Sequence, residues 1–164
     1  MRTIIALLSF ALTLFIVAVP AGAAPSSQRA AGMAAHIGEI CSLGTSLDTG
    51  FAQVRNAPFD CSAVDTSAKP DRIWARIKLD GQYRADEAIE VQGDMLYLEG
   101  AELVAVYADG SVKTVHYSPR DIIRTARPRG HYALAVPRGT TAVESVYVAL
   151  DRPWSATSVN LMRV

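Results

Sequence analysis

From Arg72 onward the sequence alternates apolar and polar residues with a period of two, and turn residues cut that alternation into short runs. This pattern constrains the fold more than any other, because side chains on a strand point alternately to opposite faces of a sheet. In Arg72 to Leu79, Ile73, Ala75, Ile77 and Leu79 fall on one face, and Arg72, Trp74, Arg76 and Lys78 on the other. Asp80-Gly81 reads as a turn, Glu87 to Val91 as a strand, and Met95 to Leu98 as another that ends at Glu99-Gly100. Leu103 to Tyr107 and Ser111 to Tyr117 flank Asp109-Gly110, a hairpin signal. Asp121 to Arg124 reads as a short strand or connector, and the residues from Arg127 to Gly130 as a loop. Tyr132, Leu134 and Val136 share a face, as do Val146, Val148 and Leu150 in the run Val143 to Leu150, and Ser158 to Val164 is a final strand. About eight short strands with no helix-length pattern among them predict an all-β fold, an antiparallel jelly-roll-like β-sandwich.

The residues before Arg72 have a different texture. Met1-Arg2, the apolar run Ile4 to Val19, and Pro20 with Ala21-Gly22-Ala23-Ala24 form the three parts of a secretory signal peptide, with cleavage expected near Ala23. The alternative is a retained anchor, but the run is short against the roughly 20 residues a span needs. The expected location is therefore periplasmic or secreted. Residues 24–70 read as an N-terminal arm and residues 71–164 as the sandwich domain. In the arm, Met33, Ile37 and Ile40 fall near one helical face between Gly32 and Leu43, which predicts a short helix ending near Cys41, and Thr45 to Pro58 has room for another short turn. The two cysteines, Cys41 and Cys61, are an even count in an exported chain and are expected to form a disulfide. Two Cys without nearby His make a poor metal set.

Lys plus Arg and Asp plus Glu number 16 each, so the chain offers no global field for nucleic acid. The three histidines, His36, His116 and His131, are scattered, with no H-E-x-x-H pair for a metal. There is no G-x-S-x-G elbow and no Gly-rich phosphate loop. Glu87, Glu90 and Asp94 are close in sequence, but spacing alone makes no acid–base pair of them. No catalytic residue, cofactor or metal is expected.

Ile73-Trp74-Ala75-Arg76, the hairpin Leu103 to Val112, Tyr132-Ala133-Leu134-Ala135-Val136-Pro137 and Val146-Tyr147-Val148-Ala149-Leu150 are similar to the extracellular sensor domains of bacterial seven-transmembrane receptors with diverse intracellular signalling modules. Phe59-Asp60-Cys61 before a Trp-bearing strand resembles the exported N-terminal part of GGDEF-type diguanylate cyclases. The resemblance covers roughly Cys41 to Val164. It implies a periplasmic jelly-roll-like sandwich, sometimes compared with carbohydrate-binding modules, that passes a ligand signal to a membrane segment and a cytoplasmic output domain. The sequence carries no Gly-Gly-Asp-Glu-Phe segment, so the cyclase activity of that family is not assigned to this chain.

Four residues stand out as candidate ligand contacts. Trp74 shares its face with Arg72, Arg76 and Lys78, so an exposed ring can stack on a sugar while Arg76 bonds a hydroxyl or carboxylate. The competing reading packs Trp74 under the arm, or under the Arg76 stem. Tyr147 stands between Ser145 and Ala149, opposite the apolar face of its strand, where it makes a shallow platform or an ordinary solvated Tyr. Arg124 belongs to a basic stretch with Arg120, Arg127, Arg129 and His131 that can grip an anion, lie on anionic lipid, or simply be solvated. Trp154 more naturally plugs the end of the sandwich.

These observations lead to a non-enzymatic periplasmic binding or sensory domain for a small polar ligand, a carbohydrate or carboxylate, with an envelope or membrane signalling partner and no nucleic acid. The alternatives are a structural or interaction module of the envelope, and a glycoside-active hydrolase using Glu87 or Glu90.

Overall fold

The structure is a computed structural model that describes residues 37–62, 70–79, 83–94, 98–127, 130–153 and 159–163. The leader, His36, the Asp80-Gly81 turn, Met95, Arg129 and Trp154 lie outside those residues.

The expected antiparallel β-sandwich is what the chain forms. Its strands are β1 (Ile37–Thr45), β2 (Arg72–Leu79), β3 (Ile89–Asp94), β4 (Gly100–Tyr107), β5 (Val112–Tyr117), β6 (His131–Ala135), β7 (Val143–Asp151) and β8 (Val159–Arg163). One sheet has the order β1-β2-β7-β4-β5 and the other β6-β3-β8. All the pairings are antiparallel. The chain moves between the sheets at most of its connections, which is the jelly-roll-like character of the winding.

The period-two pattern sorts side chains as the sequence predicts. Ala75, Ile77, Leu103, Ala105, Val146, Val148 and Leu150 from the large sheet meet Val91, Tyr132, Leu134 and Leu161 from the small one in the main core. Between β4 and β5, Gly110 adopts φ +79°, the left-handed conformation that this hairpin needs and that glycine enters without penalty. Asp109 secures the turn by accepting from the Ser111 backbone (2.9 Å) and hydroxyl (2.6 Å), bonds that hold its carboxyl below the usual carboxylate range.

Two local expectations are corrected. Ile37 to Leu43 is not helical: β1 runs Ile37–Thr45 and pairs with β2 from Ile37↔Leu79 to Thr45↔Arg72. Both faces of this strand are covered, Ile40 against the main core and Cys41 and Leu43 on the other side. Adjacent apolar residues on two faces imitate a helical stripe. The arm's helix is instead α1 (Phe51–Val54). Asp121 to Arg124 is not a strand: it belongs to the helix α2 (Pro119–Arg124), which connects β5 to β6. Ser118 caps α2, with Pro119 in the first turn and Asp121 returning a bond to the Ser118 backbone (3.0 Å). Gly100 opens β4, and most of the run Met95 to Leu98 lies outside the described residues.

Candidate functional site

The outer face of the large sheet holds three of the four predicted contacts. Its cross-strand rows follow from the register. Cys41, Arg76, Tyr147, Val104 and Thr114 form one row, and Leu43, Trp74, Ala149, Glu102 and His116 form the next. Arg76 and Tyr147 are therefore direct neighbours, and Trp74 lies one step along β2.

Over Trp74, Val104 and Tyr147 this face is covered, while Thr114 and His116 at the β5 edge are exposed. The segment 46–62, here termed the strap, leaves β1, turns through α1 and returns to β1. Two backbone bonds tie it back, Ser42 N to Asp60 O (2.7 Å) and Asp60 N to Ser42 O (2.9 Å). The Cys41–Cys61 disulfide closes the same junction covalently. Beneath the strap, Phe51, Val54 and Phe59 pack on Trp74, Val104, Val106, Tyr147 and Ala149 as a second apolar cluster. Trp74 is fully buried, so no ring face is available for stacking. Its indole Nε1 donates to the Thr49 carbonyl of the strap (3.3 Å). The reading that packs Trp74 under the arm is the one the geometry follows.

An ionic cluster flanks the buried ring. Arg72 grips Asp151 with two bonds (Nε to Oδ1 2.6 Å, Nη2 to Oδ2 3.2 Å). Its Nη1 reaches Glu102 (3.5 Å) and the Thr49 carbonyl (3.2 Å). His116 Nδ1 lies 3.9 Å from the same Glu102 oxygen. Arg72 is thus fully engaged as a clamp between sheet and strap. Sequence reading missed this cluster because its members are brought together only by strand register.

Arg76 lies under the strap's far end. Its guanidinium stacks 4.8 Å over the Phe59 ring and donates to Cys41 Sγ (3.6 Å), and Glu39 is 4.0 Å away. Its Nε is buried without a hydrogen bond among the described residues. Tyr147 is edge-on to Phe51 (5.0 Å between centroids) and to Phe59 (5.9 Å). It also forms one wall of a shallow hollow of about 310 Å³, lined with Lys78, Leu79, Glu144 and Ser145. That size is at the small end for a ligand site. Lys78 of this lining also approaches Glu39 at 3.7 Å. The hollow is thus lined by residues that carry an ammonium, a carboxylate, a hydroxyl and an aromatic ring.

Arg124 does not join this group. It sits on α2, which packs against β4, β5 and β6, and among the described residues its ion-pair partner is Asp121 at 3.9 Å. Arg127 donates to both Glu90 oxygens (2.8 and 3.0 Å), and Glu87 accepts from the Arg84 backbone at 3.3 Å. Glu90 is thus tied up as an ion-pair partner. Glu39, Cys41 and Cys61 offer three donor atoms within 4.8 Å of one another, but both sulfurs are spent in the disulfide and supply no thiolate.

No family model matches the chain, and no curated protein matches it. Among solved structures, the chain is similar to the N-terminal domain of the single-strand break repair protein XRCC1, with 11% identity, a TM-score of 0.37, and coverage of 78% of this chain and 93% of that one. A likeness of that degree bears on neither the site nor the function.

Proposed function

We propose that this chain is an extracytoplasmic ligand-binding or sensory domain whose ligand, a small carboxylate or carbohydrate, sits in the hollow beside Tyr147. The observation that carries the proposal is the double contact of that side chain. Tyr147 is at once a wall of the hollow and the aromatic partner of Phe51 and Phe59 in the strap. A ligand that packs on Tyr147 and bonds Lys78 or Ser145 alters the surface on which the strap rests. Binding then shifts an equilibrium between two packings of the strap, by as much as the ligand's affinities for them differ.

Export is part of the same reading. The N-terminal apolar run and its small-residue end read as a signal peptide, and a disulfide suits an oxidising compartment. Among the described residues, no helix is long and apolar enough to cross a membrane. In a receptor of the kind the sequence resembles, a diguanylate cyclase included, the shift would pass from the sandwich to a membrane segment and an output domain.

The test is thermal melting against a panel of simple carboxylates and mono- and disaccharides. A ligand raises the melting temperature as its concentration exceeds its Kd. That gain is lost in Lys78→Gln, and hydrogen exchange in residues 46–62 changes when the ligand is added. If no member of the panel shifts melting, the proposal fails. If the chain also retains a protein from the cell envelope, the interaction module takes its place.

A further inference from the structure

Among the described residues, two large apolar side chains are exposed, Val112 (39%) and Ile123 (65%). Ile123 is the more open of the two, and its setting is specific. It belongs to α2, whose preceding residue Ile122 is buried and fixes the helix to the sandwich. With Ile122 turned inward, the helical rotation of about 100° per residue turns Ile123 outward. Arg120 and Arg124, three residues before it and one after, flank it on the exposed side, with i and i+3 or i+4 spacing on one helix face.

The local charges sharpen the patch. Asp121 Oδ2 is occupied by the Ser118 backbone (3.0 Å) and hydroxyl (2.6 Å). Arg120 has no ion-pair partner among the described residues, and Arg124 has only Asp121 at 3.9 Å. Arg127 is paired with Glu90 yet stays half exposed. A chain of zero net charge thus carries a compact basic surface with an aliphatic side chain at its centre.

We infer that this face of α2 docks the domain on an anionic lipid bilayer. Ile123 enters the boundary between headgroups and acyl chains, and the guanidiniums of Arg120 and Arg124 pair with lipid phosphates. A lone aliphatic side chain at the centre of a basic patch fits a surface with apolar depth beneath its phosphates. Nucleic acid offers the phosphates without that depth, and it is better met by aromatic stacking or groove-reading side chains. The inference is independent of the hollow, whose lining residues are on β2 and β7.

The test is co-sedimentation of the full chain with vesicles of phosphatidylcholine alone and with roughly one third phosphatidylglycerol. Wild type and variants share the N-terminal apolar run, so its contribution cancels in the comparison. Wild type is expected to favour the anionic vesicles, less so at high salt. Each of Arg120→Gln and Arg124→Gln is expected to lower partitioning about fivefold. Ile123→Asp is expected to lower it further, with melting temperatures unchanged because all three side chains are exposed. Equal partitioning to neutral and anionic vesicles overturns the inference, as does unchanged anionic binding in the Arg120/Arg124 double variant. Capture of a DNA duplex that follows the same variants, without vesicle binding, overturns it in favour of a nucleic-acid surface.

Discussion

Gly139 faces the ring of Tyr107 so closely that a Cβ built on it would lie 2.1 Å from the ring's Cε1. Tyr107 is fully buried, and its hydroxyl donates to the Pro137 carbonyl, so the ring has nowhere to withdraw. Gly139→Ala is therefore expected to destabilise the fold by about 1–3 kcal/mol, the usual cost of overpacking, as read by urea unfolding. The glycine is kept by a close approach rather than by its backbone angles, and nothing in the residues around it announces this. Trp74 makes the complementary case. Its place on the charged face of β2 was readable from alternation, but its burial depends on residues about twenty positions earlier. Side-chain direction is a local property of a strand, whereas exposure is decided by whatever covers that face.

At the scale of elements, the strap is the distinctive addition to the sandwich. It rests on one sheet face through a few apolar side chains, the Thr49 carbonyl and a two-bond bridge at Ser42 and Asp60. The disulfide spans a sequence separation of 20, and a closed loop of that order is worth about 3 kcal/mol on the chain-entropy model. Replacing both Cys41 and Cys61 by Ser is expected to remove about that much stability. Amide exchange is expected to accelerate first in residues 46–62 and least in β4 and β7, at the centre of the sheet, where local opening costs most. Uniform acceleration across both sheets would show that the strap and sandwich open as one unit. The α2 helix is the other element that the alternation could not supply. Its Ser118-Pro119 start and Asp121 form a capping signature in the sequence, but a six-residue helix is too short to show a periodic stripe.

For the whole molecule, carboxylates at separate corners share one electrostatic habit. Asp48, Asp60, Asp109 and Asp121 each accept a hydrogen bond from a neighbouring serine, which holds each carboxyl below the usual range. A folded-state pKa below the unfolded value contributes stability that is present above the unfolded pKa and lost as pH falls through the folded one. Stability from urea unfolding is therefore expected to be level near neutral pH with respect to these groups and to decline below about pH 4. Asp48, Asp60 and Asp109 are exposed and Asp121 is half exposed, so solvent screens these contacts and the decline is gradual. An increase in stability between pH 5 and pH 3 would contradict the assignment.

The sequence by itself determined the all-β class, the inward sets on β2 and β7, the Asp109-Gly110 hairpin and the disulfide partners, because each depends on period-two alternation, a turn dipeptide or a count of cysteines. Only the tertiary structure decided that β1 is a strand, that Trp74 is covered, and that Tyr147 joins a hollow with Lys78, Glu144 and Ser145. It likewise brought Arg72, Glu102, His116 and Asp151 into one cluster. Those outcomes depend on which strands are neighbours and in what register, and on the path of the strap over the sheet. Pairing between residues as far apart as Arg72 and Asp151 is fixed by the packing of the whole chain, and local sequence carries no record of it.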